Sequence, residues 1–473
     1  MRHYMNLTGS ILRQQRETLG LSQAKLSELT GVAQHRLSAF ELGKVDLPME
    51  LLEVVSRAIK DGNATTNLAR RAKRYRDHEY DKVPYLAERV ARAHRTPGNY
   101  EYLLDLDHLA LAHAQDKGAG FSAVSLFSGC GGFSLGFSAV GFHLKGFLEI
   151  DGAVRQIYKD NFPNSRELGS DIEQLDETTL HQLAGSLGVV DVLIGGPPCQ
   201  GFSLAGKRRV DDQRNTLFKH YLRFVDSIRP KLAIMENVRL LTSMRNLSGG
   251  LIKDDILREF SAHGYAVRLF KVNAKDYGVP QHRDRVLFVA VRHDLGLEPS
   301  IPAPTHGTVA DLFTRLKPVR TFGDACSDLA YLESGDSSAD PMHKAVRHPK
   351  HVIEWLWDVP EGSSAHENED PTKRPPSGYN TTYKRQVWSE PAATVQTTFG
   401  MISGCRNVHP IATRSLTMRE AARLQSFPDS FSFRGSLGVI RSAIGNAVPP
   451  LLAYRLAAHV KRQLLDLVKV SSC

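Results

Sequence analysis

Val189-Val190-Asp191-Val192-Leu193-Ile194-Gly195-Gly196-Pro197-Pro198-Cys199-Gln200-Gly201-Phe202-Ser203 is an apolar run that stops abruptly. Its first half has the β-branched, apolar character of a buried parallel strand. Two glycines followed by two prolines cannot extend that strand, so the backbone must leave the sheet there. Cys199 then lies on a loop at a strand's carboxyl end, where open α/β sheets place their ligands. A thiol there suits a nucleophile if it is exposed and has positive neighbours, although a lone cysteine in a turn is equally a small apolar residue.

Upstream, strands alternate with helices from residue 121, which predicts a parallel sheet. Val124–Phe127 reads as a strand, Ser128-Gly129-Cys130-Gly131-Gly132 as a glycine turn, and Phe133–Val140 as a helix. Lys145–Ile150 is a second strand, and its Glu149 stands 20 residues beyond Gly129. An acidic residue at that distance meets ribose hydroxyls in dinucleotide folds. The turn is Gly-x-Gly-Gly with no following Lys-Ser/Thr, so a nucleoside without phosphates, such as S-adenosyl-L-methionine, fits better than a nucleotide. Downstream, Lys231–Met235 is another buried strand, and Glu236 ends it with a carboxylate beside the cysteine loop. Tyr265–Ala274 and Arg285–Val291 read as two more strands. Gln281, Arg283 and Arg285 alternate ahead of the last one and share a face if the segment is extended.

The flanks differ in kind. Residues 8–60 read as short helices: Ile11, Leu12 and Leu19 form one face, Ser22 can cap a second helix carrying Leu26 and Leu29, and Thr30-Gly31 turns into a third carrying Val32, Leu37 and Phe40. Helix, glycine turn, helix is the helix-turn-helix pattern, and its wording resembles the phage-repressor class, in which the third helix enters the major groove. That resemblance points to Gln34, His35 and Ser38 as base readers. Asp61–Thr66 is turn-rich. Arg70–Arg95 then carries nine Lys/Arg against four Asp/Glu, with Tyr75, Tyr80 and Tyr85 interleaved. Such a stretch suits a DNA backbone or a solvated helix face. Lys117–Gly120 resembles a hinge. From Ile301 to His409 the text is irregular and holds all three tryptophans, and a capping box at Thr417–Glu420 restarts helix.

The chain has 473 residues, a formal net charge of +9, 41% hydrophobic and 23% charged residues, and five scattered cysteines. This describes a soluble globular protein of two or three domains with a polyanion partner. No cysteine pair has metal-finger spacing, so neither a metal site nor a disulfide framework is expected, and a cytoplasmic location is.

Gly-Gly-Pro-Pro-Cys-Gln-Gly-Phe-Ser, with Glu-Asn-Val 37 residues after its cysteine, resembles the DNA (cytosine-5)-methyltransferases of bacterial restriction–modification systems. The resemblance runs from about Val124 to Leu452, with the motifs in the family's order. It implies a Rossmann-like α/β methyltransferase sheet, an irregular target-recognition domain and an all-α amino-terminal unit. The boundaries expected are 1–62 for the helix-turn-helix, 63–120 for a basic helical linker, 121–298 completed by 440–473 for the catalytic domain, and 299–439 for target recognition.

The resemblance also implies Cys199, Glu236, Arg283 and Arg285 as catalytic residues. It assigns S-adenosyl-L-methionine to Phe127, Gly129, Gly131, Gly132, Glu149, Asp171, Ile172, Pro197, Leu217, Asn446 and Val448. Asp212–Leu217 matches a further motif, and Gly201–Arg209 a segment that closes over DNA. Gln281, Lys384 and Arg385 join the DNA contacts, with Thr394–Thr398 beside them. The implied partner is double-stranded DNA, both as methylation target and as a separate operator, with pairing through the amino-terminal unit. The competing readings are a transcriptional regulator with a vestigial methylase body and an RNA cytosine methyltransferase.

Overall fold

The computed structural model describes residues 8–18, 21–45, 47, 51–52, 54–55, 89–115, 120–198, 217–246, 248–307 and 316–471. The chain divides into two compact units. One is built from residues 1–95, 327–386 and 400–418, the other from 96–326, 387–399 and 419–473.

In the first unit, the described residues of the amino-terminal bundle include three short helices, α1 (Gly9–Thr18), α2 (Gln23–Thr30) and α3 (Gln34–Glu41). Ser22 caps α2 by accepting the Lys25 N–H at 3.1 Å, and Gly31 ends it at φ 72°, a left-handed turn that costs glycine nothing. Leu12, Leu26, Val32, Leu37 and Phe40 form the small core. Ile11, expected on that face, is exposed. Leu19, the Asp61–Thr66 boundary, Tyr75, Tyr80, Tyr85 and the Lys117–Ala119 part of the hinge lie outside the described residues. Further on in this unit, the helix Lys350–Trp357 packs Val352 and Leu356 against Val359, Ala365, Ile402 and Val408.

The second unit carries the sheet. In chain order its elements are α4 (Pro97–Ala114), β1 (Ser122–Leu126), α5 (Gly132–Val140), β2 (His143–Leu148), α6 (Gly152–Asn161), β3 (Arg166–Glu167), α7 (Glu177–Leu187), β4 (Val192–Gly195), α8 (Leu217–Ile228), β5 (Leu232–Val238), α9 (Ile252–Ala262), β6 (Tyr265–Asn273), β7 (Asp284–Arg292), α10 (Leu437–Asn446) and α11 (Pro450–Ser471). The strands lie in the order β3-β2-β1-β4-β5-β7-β6. The first five are parallel, while β7 runs antiparallel to both neighbours. Every residue of β1 and β4 is buried, including Ser122 and Ser125, as befits strands covered on both faces. α5 is buried along Gly132–Ala139 and admits α11 closely at Gly136, where a Cβ would stand 2.4 Å from the Tyr454 nitrogen.

This topology gathers chemistry at one edge. Register pairs Leu126 with both Leu148 and Gly195, and Gly195 with Met235. The loops after β1, β2, β4 and β5 therefore emerge side by side at the carboxyl ends. The reversal at β1, where the strand order changes direction, is where such sheets open a crevice. Because β7 runs backwards, its amino end joins the same edge, and Arg285 pairs in register with Val238.

Candidate active site

Glu236 and Arg285 meet across the β5–β7 pair. Arg285 stands opposite Val238, so Glu236, two residues earlier, is its diagonal neighbour on the same face. Arg285 Nε lies 2.5 Å from Glu236 Oε1, and both side chains are nearly enclosed. Arg285 Nη1 also donates to the Asp284 carbonyl at 2.7 Å.

The cysteine loop begins against this carboxylate. A Cβ on Gly196 would sit 3.1 Å from Glu236 Oε2, so glycine lets the loop pass close to the charge. Asn237, buried beside Glu236, donates from Nδ2 to the Pro197 carbonyl at 2.9 Å and fixes the loop's departure. Asn237 was not singled out from the sequence, although it stands inside the Glu-Asn-Val signature. Cys199 follows Pro198 and lies outside the described residues, as do Gly201–Arg209 and Asp212–Thr216.

At the neighbouring strand ends lies a second set of groups. Phe127 leaves β1 at φ 50°, unusual for a non-glycine residue, and Gly129 and Gly131 follow at φ 55° and 99°. A Cβ on Gly131 would strike the Phe162 ring at 2.2 Å, and one on Gly132 the Val448 carbonyl at 2.3 Å. The loop is thus confined to glycine by both conformation and space. Glu149 is largely enclosed and accepts the Gly129 N–H at 2.8 Å and the Asp151 N–H at 2.9 Å. Burial pushes its pKa up, and those two backbone donors hold it back only partly. Ile150, next along, is 67% exposed, an apolar surface at the mouth of the crevice. Asp171 caps the short turn beginning at Ile172 by accepting the Glu173 N–H at 3.0 Å. Ile172, Pro197, Leu217 and Val448 are buried, while Asn446 is exposed and donates to Ser442 Oγ at 3.3 Å.

These groups fit a nucleoside-bearing cofactor. A backbone cradle that excludes side chains suits close approach of a ligand's main-chain-like portion, and a partly exposed carboxylate with spare acceptor capacity suits paired hydroxyls. Cys130, inside the turn, is no rival nucleophile. Its thiol is enclosed, donates toward the Ala443 carbonyl at 3.4 Å, and is pushed up to about 12 by burial.

Three expectations need correction. Gln281, expected on DNA, is fully enclosed, and its amide is taken up by Leu424, Gln425 and Val395. Arg283, expected to touch the target base, is likewise enclosed and donates to the carbonyls of Val395, Gly445 and Ala447. The alternation is real, since His282 and Asp284 are exposed between their buried neighbours, but for these two residues the shared face is the interior. Arg385, expected on DNA, donates to the carbonyls of Leu356, His409, Ile411 and Ala412 and to Thr413 Oγ1. A buried guanidinium needs many acceptors, and these hold Arg385 in the interior, away from solvent and a phosphate. Lys384 is half-buried. On α3, Gln34 and His35 are exposed and Ser38 partly so; Arg36, which sequence reasoning passed over, is exposed between them.

A parallel sheet interrupted by one reversed strand, β7, with a glycine cradle and an acidic residue at the ends of its first two strands, defines a Rossmann-like methyltransferase. Residues 121–462 match the model of the C-5 cytosine-specific DNA methylases, and residues 12–60 match a helix-turn-helix model. The chain belongs to the C-5 cytosine-specific DNA methylase family, with a helix-turn-helix unit ahead of the methylase body. It is 35% identical to the type II methyltransferase M.DdeI of Desulfomicrobium norvegicum, over 71% of this chain and 88% of that protein. It is 38% identical to M1.HphI of Haemophilus parahaemolyticus, over 71% and 86%. A solved structure of a candidate DNA modification methyltransferase from an E. coli prophage matches with a TM-score of 0.57 and 26% identity, over 74% of this chain and all of that one. No helix among the described residues is long and apolar enough to cross a membrane.

Proposed function

We propose that this protein methylates carbon 5 of a specific cytosine in duplex DNA as the modification enzyme of a restriction–modification system. The observation that carries this reading is the enclosed Glu236–Arg285 pair beside the loop that leads into Cys199. Carbon 5 of cytosine is a poor nucleophile, and a thiolate added at carbon 6 makes it enamine-like. Cys199 supplies that thiolate. Glu236 holds the ring's N3 edge and amino group, and Arg285 holds both Glu236 and the ring's O2, where negative charge develops. Once carbon 5 carries the methyl group, its proton passes to water and the thiolate leaves, which restores the ring and frees Cys199. The base must leave the duplex to reach these groups.

Phe127, Gly129, Gly131, Gly132, Glu149, Asp171, Ile172, Pro197, Leu217, Asn446 and Val448 hold S-adenosyl-L-methionine. Bound there, it supplies an electrophilic methyl group on a sulfonium. Glu149 takes the ribose hydroxyls, and the glycine cradle takes the methionine end.

The helix-turn-helix unit binds a second DNA site through Gln34, His35 and Ser38, an operator through which the enzyme represses transcription. Target recognition belongs to residues 299–439 and catalysis to residues 121–298 completed by 440–473. The test is tritiated methyl transfer to unmethylated duplex DNA and to RNA, with wild type and Cys199→Ser. Label recovered as 5-methylcytosine in DNA, and lost in the variant, is the expected result. Label in RNA alone, or retained by the variant, overturns it.

A further inference from the structure

Gln281 and Arg283 draw three separate parts of the second unit onto the approach to β7. Gln281 Nε2 donates to the Leu424 carbonyl and to Gln425 Oε1, each at 3.0 Å, while its Oε1 accepts the Val395 N–H at 2.8 Å. Arg283 Nη1 donates to the carbonyl of the same Val395 at 3.1 Å. Val395 is therefore gripped at both its N–H and its C=O. Arg283 Nη2 donates to the carbonyls of Gly445 at 2.8 Å and Ala447 at 2.9 Å, the residues on either side of Asn446. Gln425 extends the set through Nε2 to the Ile444 carbonyl at 2.6 Å.

A second, steric observation joins the same segments. A Cβ on Gly445 would stand 2.4 Å from the Thr397 nitrogen and 2.6 Å from the Gln396 carbonyl carbon. Both are backbone atoms, so no rotamer change could relieve the clash. The chain at Gln396–Thr397 passes directly over the turn that carries Asn446.

We infer that Gln281 and Arg283 are positioning residues that make the Gly445–Val448 turn and the Thr394–Thr398 segment one rigid body with the amino end of β7. Arg285, two residues beyond Arg283, is part of that body. Resting on the function proposed above, this gives the cofactor turn and the base-holding arginine a common support. A lysine cannot replace the fork, because one ammonium cannot reach three carbonyls arranged around a planar group. Burial also disfavours the charge on Arg283, and Arg285 nearby adds to that while Glu236 opposes it. The carbonyl dipoles therefore hold the guanidinium as firmly as it holds them.

The experiment measures the affinity of the full-length protein for S-adenosylhomocysteine by calorimetry without DNA, for wild type, Arg283→Lys and Gly445→Ala. Hydrogen exchange over residues 394–398 and 444–448 is followed in parallel. Positioning predicts about a tenfold weaker Kd in both variants, the loss of roughly one multi-bonded contact, with faster exchange in both segments and unchanged exchange in β4 and β5. If Arg283→Lys binds the probe as wild type does and loses only turnover, Arg283 acts on the base and the inference falls. If Arg283→Lys fails to fold, Gly445→Ala decides alone, because it leaves the guanidinium intact: wild-type affinity and exchange there overturn the inference. Failure of wild type itself to bind the probe would instead overturn the proposed function. The exchange comparison would still judge the rigid body.

Discussion

Arg285 and Glu236 are brought together by strand direction, since only the reversal of β7 puts its first residues at the edge where β5 ends. The pair is nearly enclosed, so neither partner can be neutralised without leaving the other stranded. Glu236→Gln keeps the shape and removes the charge. We expect kcat to fall by about 100-fold or more, the range for losing one oriented group at a developing charge. The affinity for S-adenosylhomocysteine should stay within about twofold, because the cofactor groups lie at other strand ends. Single-turnover methylation at saturating cofactor checks this, and a loss of less than about threefold would remove Glu236 from the chemistry.

Glu149 offers a pH test with a defined sign. Burial raises its folded-state pKa above the unfolded value, so ionising it costs folding free energy. Stability of the cofactor-free protein should therefore decline as pH rises through that raised pKa and level off above it. Glu149→Gln removes this step and raises Tm at neutral pH, while weakening cofactor affinity by about tenfold or more through loss of the charged acceptor. Melting curves and calorimetry across pH 4 to 8 on both proteins separate the two effects. A variant that gains no stability at neutral pH would contradict the assignment.

Much of this site was legible in the sequence, for reasons that differ by residue. The strand ends, the glycine turn and the spacing of Glu149 follow from local rules, because phase and punctuation are written in consecutive residues. Gln281, Arg283 and Arg385 depart from the sequence expectation for one shared reason. Polar residues in a basic protein look like DNA contacts until their acceptors are known, and those acceptors are carbonyls up to 164 positions away in the chain. No periodicity records such partners. Asn237 was overlooked for the converse reason: its role depends on a single carbonyl in the loop of a neighbouring strand.

The amino-terminal bundle is tied by Arg16 and Glu41. Arg16 Nε donates to Glu41 Oε1 at 2.6 Å and Nη2 to Oε2 at 3.0 Å, Gln23 adds a bond to Oε2 at 2.6 Å, and Arg16 Nη1 reaches the Leu21 carbonyl at 2.6 Å. Burial alone would raise the Glu41 pKa, but the bonds from Arg16 and Gln23 outweigh it and the net shift is downward. Its stabilisation is thus present above the ordinary carboxylate range and is lost as pH falls through the lowered value. Arg16→Met leaves Glu41 enclosed without its cation and should cost the bundle about 3–5 kcal/mol. We expect promoter-fragment binding to disappear while methyl transfer continues. Gel shift and methylation assays on one preparation test this, and a joint loss would make the bundle part of the enzyme.

Sequence readout calls for exposed donors on a rigid support, and the first unit offers such a place. Tyr379 is 80% exposed, Asn380 and Thr381 are exposed beside it, and the Arg406 N–H donates to the Thr381 carbonyl at 3.0 Å. Two loops, 379–384 and 401–406, are thereby joined at their tips. Behind them Arg385 binds the carbonyls of His409, Ile411 and Ala412, which holds the returning chain in place. Arg406 is held at φ 52° with its side chain exposed, a conformation maintained by the surrounding turn. An arginine so presented suits the paired N7 and O6 acceptors of guanine, and Asn380 the N7 acceptor and N6 donor of adenine, each worth about 1–3 kcal/mol of discrimination. Arg406→Ala should lower the rate at the cognate site by about 10- to 100-fold and widen the set of methylated sites, with cofactor affinity unchanged. Arg385→Met, in contrast, strands several buried carbonyls and should lower Tm by several degrees before any change in site choice is seen. Bisulfite sequencing of a plasmid methylated by each variant distinguishes these outcomes. An Arg406→Ala enzyme that modifies the wild-type sites at the wild-type rate would move target reading to another part of the chain.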